Sequence, residues 1–249
     1  MWLLVAMTAA VLSAVALVRG PLQMPFSALW GSAAADGYRY TRSQGAVLLG
    51  GNGRYQVLIP FQRQIWIGSD GSGRLFEVRS DPVFFGTRDA REWQGQVGSE
   101  RIDEVYGSQT LTYLDLDEVP REPTALRAFL VARADRGASL AGEIFAQVRG
   151  YLLETAPPSD VALALKAILV DEPGIEVDPR GEGSIAVSVT MGSPGELRLT
   201  LILGVDGTLL REERTLLASV PSIDASPPVS LGYTDFLEAG VVERLPPLP

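Results

Sequence analysis

Most enzymes rest on a nucleophile, a proton carrier or a set of metal ligands. This sequence of 249 residues contains no cysteine and no histidine. The double absence removes Ser-His-Asp and Cys-His catalysis and nearly every zinc site. It also removes the commonest general base. No disulfide can form, so packing alone must hold the chain together. Lys166 is the sole lysine among 21 basic residues and the only partner for a Ser-Lys arrangement. Its place in a helical repeat directs it to solvent. Asp115, Asp117 and Glu118 cluster carboxylates that could bind a cation or share a proton, but acids at that spacing also suit the entry to a helix. A hydrolase built on carboxylates needs two acids facing across a cleft, and no spacing here points to such a pair.

Glycine-rich loops offer little more. Gly50-Gly51-Asn52-Gly53 lacks the Gly-Lys-Ser/Thr ending of a phosphate cradle and reads as a hairpin turn. Asp70-Gly71-Ser72-Gly73 lacks the spaced carboxylates and distal glutamate of a calcium loop, and reads as a second turn. The sequence therefore predicts no catalytic residue, no metal ligand and no cofactor, and a protein that is not an enzyme. What remains is aromatic. Tyr38, Tyr40, Tyr55, Phe61, Trp66 and Phe76 fall on strand-like sequence, as core or as the lining of an apolar groove. Trp93 stands in a polar stretch, where it reads as a contact residue. Tyr38, Tyr40, Trp66 and Trp93 are the candidate ligand or contact residues.

The elements that must position them follow from periodicity. Between Pro120 and Pro173 apolar residues recur at helical spacing, and three helices fit. Leu126, Phe129 and Leu130 share a face in the first, with Pro123 in its first turn and Gly137 as its stop. Leu140, Ile144, Val148, Tyr151 and Leu152 stripe the second, which Pro157 and Pro158 end. Val161, Leu165, Ile168 and Leu169 stripe the third, closed by Pro173-Gly174.

On both sides of that block the period drops to two. Before it, Tyr38–Leu49, Tyr55–Phe61, Gln64–Ile67 and Arg74–Arg79 read as a meander of four strands. Asp81–Gln109 reads as a long polar surface loop with a single helical turn. After the block, Ile175–Val177, Ile185–Thr190, Leu197–Leu203 and Leu209–Ala218 alternate, and Leu231–Arg244 is a last ordered piece, strand or turn. Hairpin connections predict an antiparallel sheet and an α+β fold, with the sheet curved over the helices.

Residues 2–18 are an uncharged apolar run, at the short limit for crossing a bilayer. A membrane anchor, a cleaved signal and a buried helix all suit it; the missing basic residues ahead of it favour the anchor over the signal. The predicted organisation is residues 1–20 as anchor or signal, 21–36 as linker and 37–245 as one extracytoplasmic domain. The net charge of −9 argues against a nucleic-acid partner.

Three stretches carry a resemblance. They are Tyr38-Arg39-Tyr40-Thr41-Arg42-Ser43 with Ile65-Trp66-Ile67; Leu114-Asp115-Leu116 with Val119-Pro120, Pro123 and Leu126-Arg127; and Leu231-Gly232-Tyr233-Thr234 with Gly240-Val241-Val242. Together they resemble an uncharacterised family of single-span membrane proteins from high-GC Gram-positive bacteria, often encoded beside an extracytoplasmic-function sigma factor. The resemblance spans residues 37–244 and implies one membrane span, an extracytoplasmic domain, and a sensing role with a protein partner in the envelope or sigma-factor pathway. The sheet-over-helices plan is also similar to lipoprotein-carrier folds, which implies, as an alternative, an apolar ligand held between sheet and helices.

Overall fold

The computed structural model of the protein describes residues 37–51, 55–86, 99–108, 119–134, 139–155, 157–192, 196–220, 223 and 225–246. The apolar run, Trp93 and the acids at 115, 117 and 118 lie outside them. Within them the chain is α+β: strands, a block of three helices, then strands.

Ten strands form one antiparallel sheet. The first group is β1 (Tyr38–Gly51), β2 (Tyr55–Gly68), β3 (Gly73–Arg79), β4 (Val83–Phe84) and β5 (Arg101–Tyr106). The second is β6 (Glu176–Pro179), β7 (Ile185–Met191), β8 (Leu197–Leu203), β9 (Leu209–Leu216) and β10 (Val229–Val242). The spatial order is β5-β3-β2-β1-β10-β9-β8-β7-β6, with β4 paired to β2. Each group is thus a meander, and β10 seals the two together by pairing with β1 on one side and β9 on the other.

Two expectations need correction. The four-strand N-terminal meander is three strands, because β1 and β2 each run 14 residues without a break. Gly45 inside β1 serves the sheet: a Cβ there would lie 2.0 Å from the Tyr233 carbonyl oxygen, so only glycine lets β10 approach. A bulge opposite Arg42/Ser43 absorbs the mismatch. The supposed loop after Asp81 contains β5, which pairs with β3 along its length. Its sequence, Arg-Ile-Asp-Glu-Val-Tyr, hid it: charge belongs on an edge strand, where it discourages further pairing. Of the last ordered piece, expected as strand or turn, Leu231–Val242 is strand within β10.

The helices are α1 (Pro123–Arg133), α2 (Leu140–Thr155) and α3 (Ser159–Asp171). Glu122 caps α1, its carboxylate accepting from the Thr124 and Ala125 amides at 3.0 and 2.7 Å. Proline follows at the first helical position, where its missing N–H costs nothing. The stripes point inward as the spacing predicts. Leu126, Leu130, Ile144, Phe145, Val148, Leu165 and Leu169 form one dry cluster with Val187, Leu201 and Leu203 of the sheet. Each such side chain, fully buried, is worth roughly 1.5–3 kcal/mol. Lys166 does not simply face solvent: its ammonium donates to the Gly204 carbonyl at 2.7 Å, tying α3 to the β8–β9 turn.

The cluster draws its sheet residues from β7, β8 and β9. The helices therefore cover the C-terminal half of one sheet face.

Candidate binding site: two arginine triads on one sheet face

Side chains alternate between the two faces of a strand. The pairing register carries the helix-bearing face from Leu201 on β8 to Glu212 on β9, Thr234 on β10, Gly45 on β1 and Phe61 on β2. Beyond the dry cluster this face carries buried charge as well as hydrocarbon.

On β2 the inward positions read Val57, Ile59, Phe61, Arg63, Ile65, Ile67, with one charge inside an apolar row. Arg63 lies beside Glu77 of β3 in register. The Glu77 side chain is 1% exposed and sits between two guanidinium groups. Arg63 Nε donates to Oε2 at 2.6 Å and Arg79 Nε to Oε1 at 2.6 Å. Arg79 also reaches Glu100 at 3.2 Å. Beside this triad, burial raises the Tyr106 phenol, and its hydrogen bond to the Glu104 carboxylate raises it further. It stays protonated and donating.

A second triad repeats the pattern on β9. Glu212, 5% exposed at its side chain, accepts from Arg149 of α2 at 3.0 and 3.1 Å and from Arg214 Nε at 3.0 Å. Arg149 Nε is buried without a hydrogen-bond partner among the described residues, so this triad is short of acceptors. A buried carboxylate flanked by two cations is held by Coulomb attraction and charge-assisted hydrogen bonds together. Breaking such a set is costly, yet apolar replacements of the whole set are often as stable. Stability alone does not explain two of them.

Between the triads lies a recess of about 60 Å³, lined by Phe61 and Arg63 on one side, Glu212 and Arg214 on the other, with Val47 and Thr234 between. Its floor is low because Gly232 faces it without a side chain. Gly232 has φ +138, and a Cβ there would lie 2.4 Å from the Ala46 carbonyl oxygen. A second concavity of about 200 Å³ lies on the opposite face, among Glu176, Asp178, Arg198 and Glu213. It is the wet polar back of the C-terminal strands.

The aromatic candidates occupy that opposite face in the N-terminal half. Tyr38 and Tyr40 pair in register with Gly68 and Trp66. Tyr40 stacks on Trp66 with ring centroids 5.2 Å apart. Arg74 lies over the Trp66 ring, holds Asp103 at 2.8 Å through two bonds, and donates to the Pro246 carbonyl oxygen. Those bonds keep the Asp103 carboxyl below the usual carboxylate range. Tyr38 and Trp66 are buried, and Tyr40 is half-buried. Phe61 points the other way, toward the recess. The Tyr55 side chain and Trp93 lie outside the described residues. The aromatics thus do not meet the helices, and the helix–sheet seam is filled by the dry cluster.

Sequence reasoning missed the triads. A signal existed: Arg63 breaks the row of inward apolar positions on β2, and Glu77 and Arg79 share the inward parity of Leu75. Among the described residues, no group of three or more His, Cys, Asp or Glu gathers as a metal site, and no helix is long and apolar enough to cross a membrane.

No protein-family model matches this sequence, and no curated protein matches it. Among solved structures it is similar to the dehydratase domain from the CurK module of curacin polyketide synthase, at 12% identity over 92% of this chain and 80% of that one, with a TM-score of 0.15. An inactive variant of the same domain gives 12% identity over the same shares, with a TM-score of 0.17. Scores that low carry no structural or functional argument.

Proposed function

We propose that this chain is a membrane-tethered, non-enzymatic binding module, with residues 2–18 as the tether and the sheet domain outside the cytoplasm in an envelope-sensing role. The observation that supports it best is the recess between the triads. Its walls carry charge on a rigid sheet, yet both buried carboxylates are already clamped by arginine. The chain has no histidine or cysteine to serve there as general base or nucleophile. Such a site is suited to holding a ligand. The resemblance to single-span envelope proteins points the same way.

The test is localisation of the full chain carrying a C-terminal tag in a bacterial host. The expected result is a tagged protein in the membrane fraction whose domain is digested by protease added to spheroplasts. Recovery from the cytosol, or full protection from external protease, would falsify the tethered reading.

A further inference from the structure

The recess has a chemical preference of its own. Its first rank of charge is Arg63 and Arg214 against Glu212, and Glu212 is itself bound from behind by Arg149. Behind Arg63, Glu77 is shared with Arg79. Counting both ranks, four arginines face two glutamates. Glu100 and Glu104 stand beyond them on the β3–β5 side, the first more than half exposed and the second bonded to Tyr106. Neither lines the recess. Arg63 commits Nε and Nη2 to Glu77, and Arg214 commits Nε to Glu212. Among the described residues, that leaves N–H groups of both forks for another acceptor. Arginine forks match the planar or tetrahedral geometry of carboxylates and phosphates.

The geometry fits as well. Phe61, Gly45, Thr234 and Glu212 lie in one row across β2, β1, β10 and β9. Three strand spacings of roughly 4.8 Å separate the outer backbones, and long side chains reach inward from each. The two inner strands present glycine or a small residue, so the middle stays open. A volume of about 60 Å³ accommodates a few waters or one small oxyanion head. The overall charge of −9 does not forbid this, because exposed charges farther than about 10 Å are largely screened at 0.1 M salt.

From these observations we infer that the recess is an oxyanion-binding site, taking one carboxylate or phosphate head group between Arg63 and Arg214 with Thr234 at the floor. This names the ligand class for the binding module proposed above and rests on that reading for its biological meaning. Its test does not depend on where the chain resides.

The full chain in neutral detergent micelles is titrated with inorganic phosphate, with acetate, and, in a third arm, with phosphatidic acid doped into the micelle. The readout is the arginine Nε–Hε resonances. Thr234→Glu places a carboxylate in the recess and leaves both triads intact; Arg214→Gln removes one fork. Arg198→Gln, on the opposite face, is the control. The inference expects saturable shifts of the Arg63 and Arg214 signals in at least one arm, lost or weakened tenfold or more in Thr234→Glu and Arg214→Gln, and unchanged in Arg198→Gln. Response to phosphate and acetate marks a free small anion; response to phosphatidic acid alone marks a lipid head group. No saturable shift in any arm, or equal weakening by the control, overturns the inference. Should Arg214→Gln fail to fold, Thr234→Glu decides the matter alone.

Discussion

One face of one sheet is used in two ways. Under the helices, β7 and β8 offer Val187, Leu201 and Leu203 to the stripes of α1, α2 and α3, and the Arg149–Glu212 pair between α2 and β9 marks where charge begins. Farther along the same face, β2, β3 and β9 offer Arg63, Glu77, Arg79, Glu212 and Arg214. The first region is the sort that any sequence of suitable volume can fill. The second requires particular residues, each answering another. Its cost in desolvation brings no stability that hydrocarbon could not match. That difference makes the second region the one on which the proposed recognition role rests.

The largest effects should come from the dry region. Phe145→Ala should cost about 3–5 kcal/mol, since the cavity cannot close among residues this buried. Its thermal midpoint should fall by roughly 10 °C on the scale for a domain of this size. Leaving the ligand resonances of the recess unchanged at low temperature would complete the contrast. Next is Glu77→Gln. Stripping the charge from the centre of a triad leaves Arg63 and Arg79 facing each other, at a cost of about 3 kcal/mol measured by urea unfolding. A variant as stable as wild type would show that the triad carries no electrostatic weight.

Much of the dry region was legible in advance. The three stripes, the proline boundaries of α2, and the alternation of Ile185–Met191 and Leu197–Leu203 follow from period alone, because hydrocarbon burial is a one-residue property. The triads were not legible, because an ion pair is a property of two residues far apart in the chain. Arg149 and Glu212 lie 63 positions apart, and no local pattern links them. The row from Val57 to Ile67 could have exposed Arg63, since an arginine at an inward position needs a partner. The strand β5 escaped for a related reason: edge strands are built from charge, which reads as loop.

Acid sharpens the contrast further. Bonds from Arg74 hold the Asp103 carboxyl below its ordinary value. A depressed folded value means that the unfolded chain takes up the proton first. The stabilisation is in place above about pH 4 and fades as pH falls through the folded value. Asp103→Asn should therefore narrow its gap from wild type as urea midpoints are compared from pH 6 down to pH 3. A gap that widens on acidification would reverse the sign. The smallest effect belongs to the surface. Arg121 and Asp160 meet at 2.8 Å with both side chains at least half exposed, and Arg121→Ala should change stability by less than about 1 kcal/mol.

The most direct measurement replaces one triad outright. Arg63→Met, Glu77→Leu and Arg79→Met are combined in the full chain, and thermal midpoint and phosphate titration are read on the same sample. If the charged region exists for recognition, the midpoint holds or rises while saturable binding disappears. A collapsed midpoint, or binding that survives the loss of both arginines, would contradict that account.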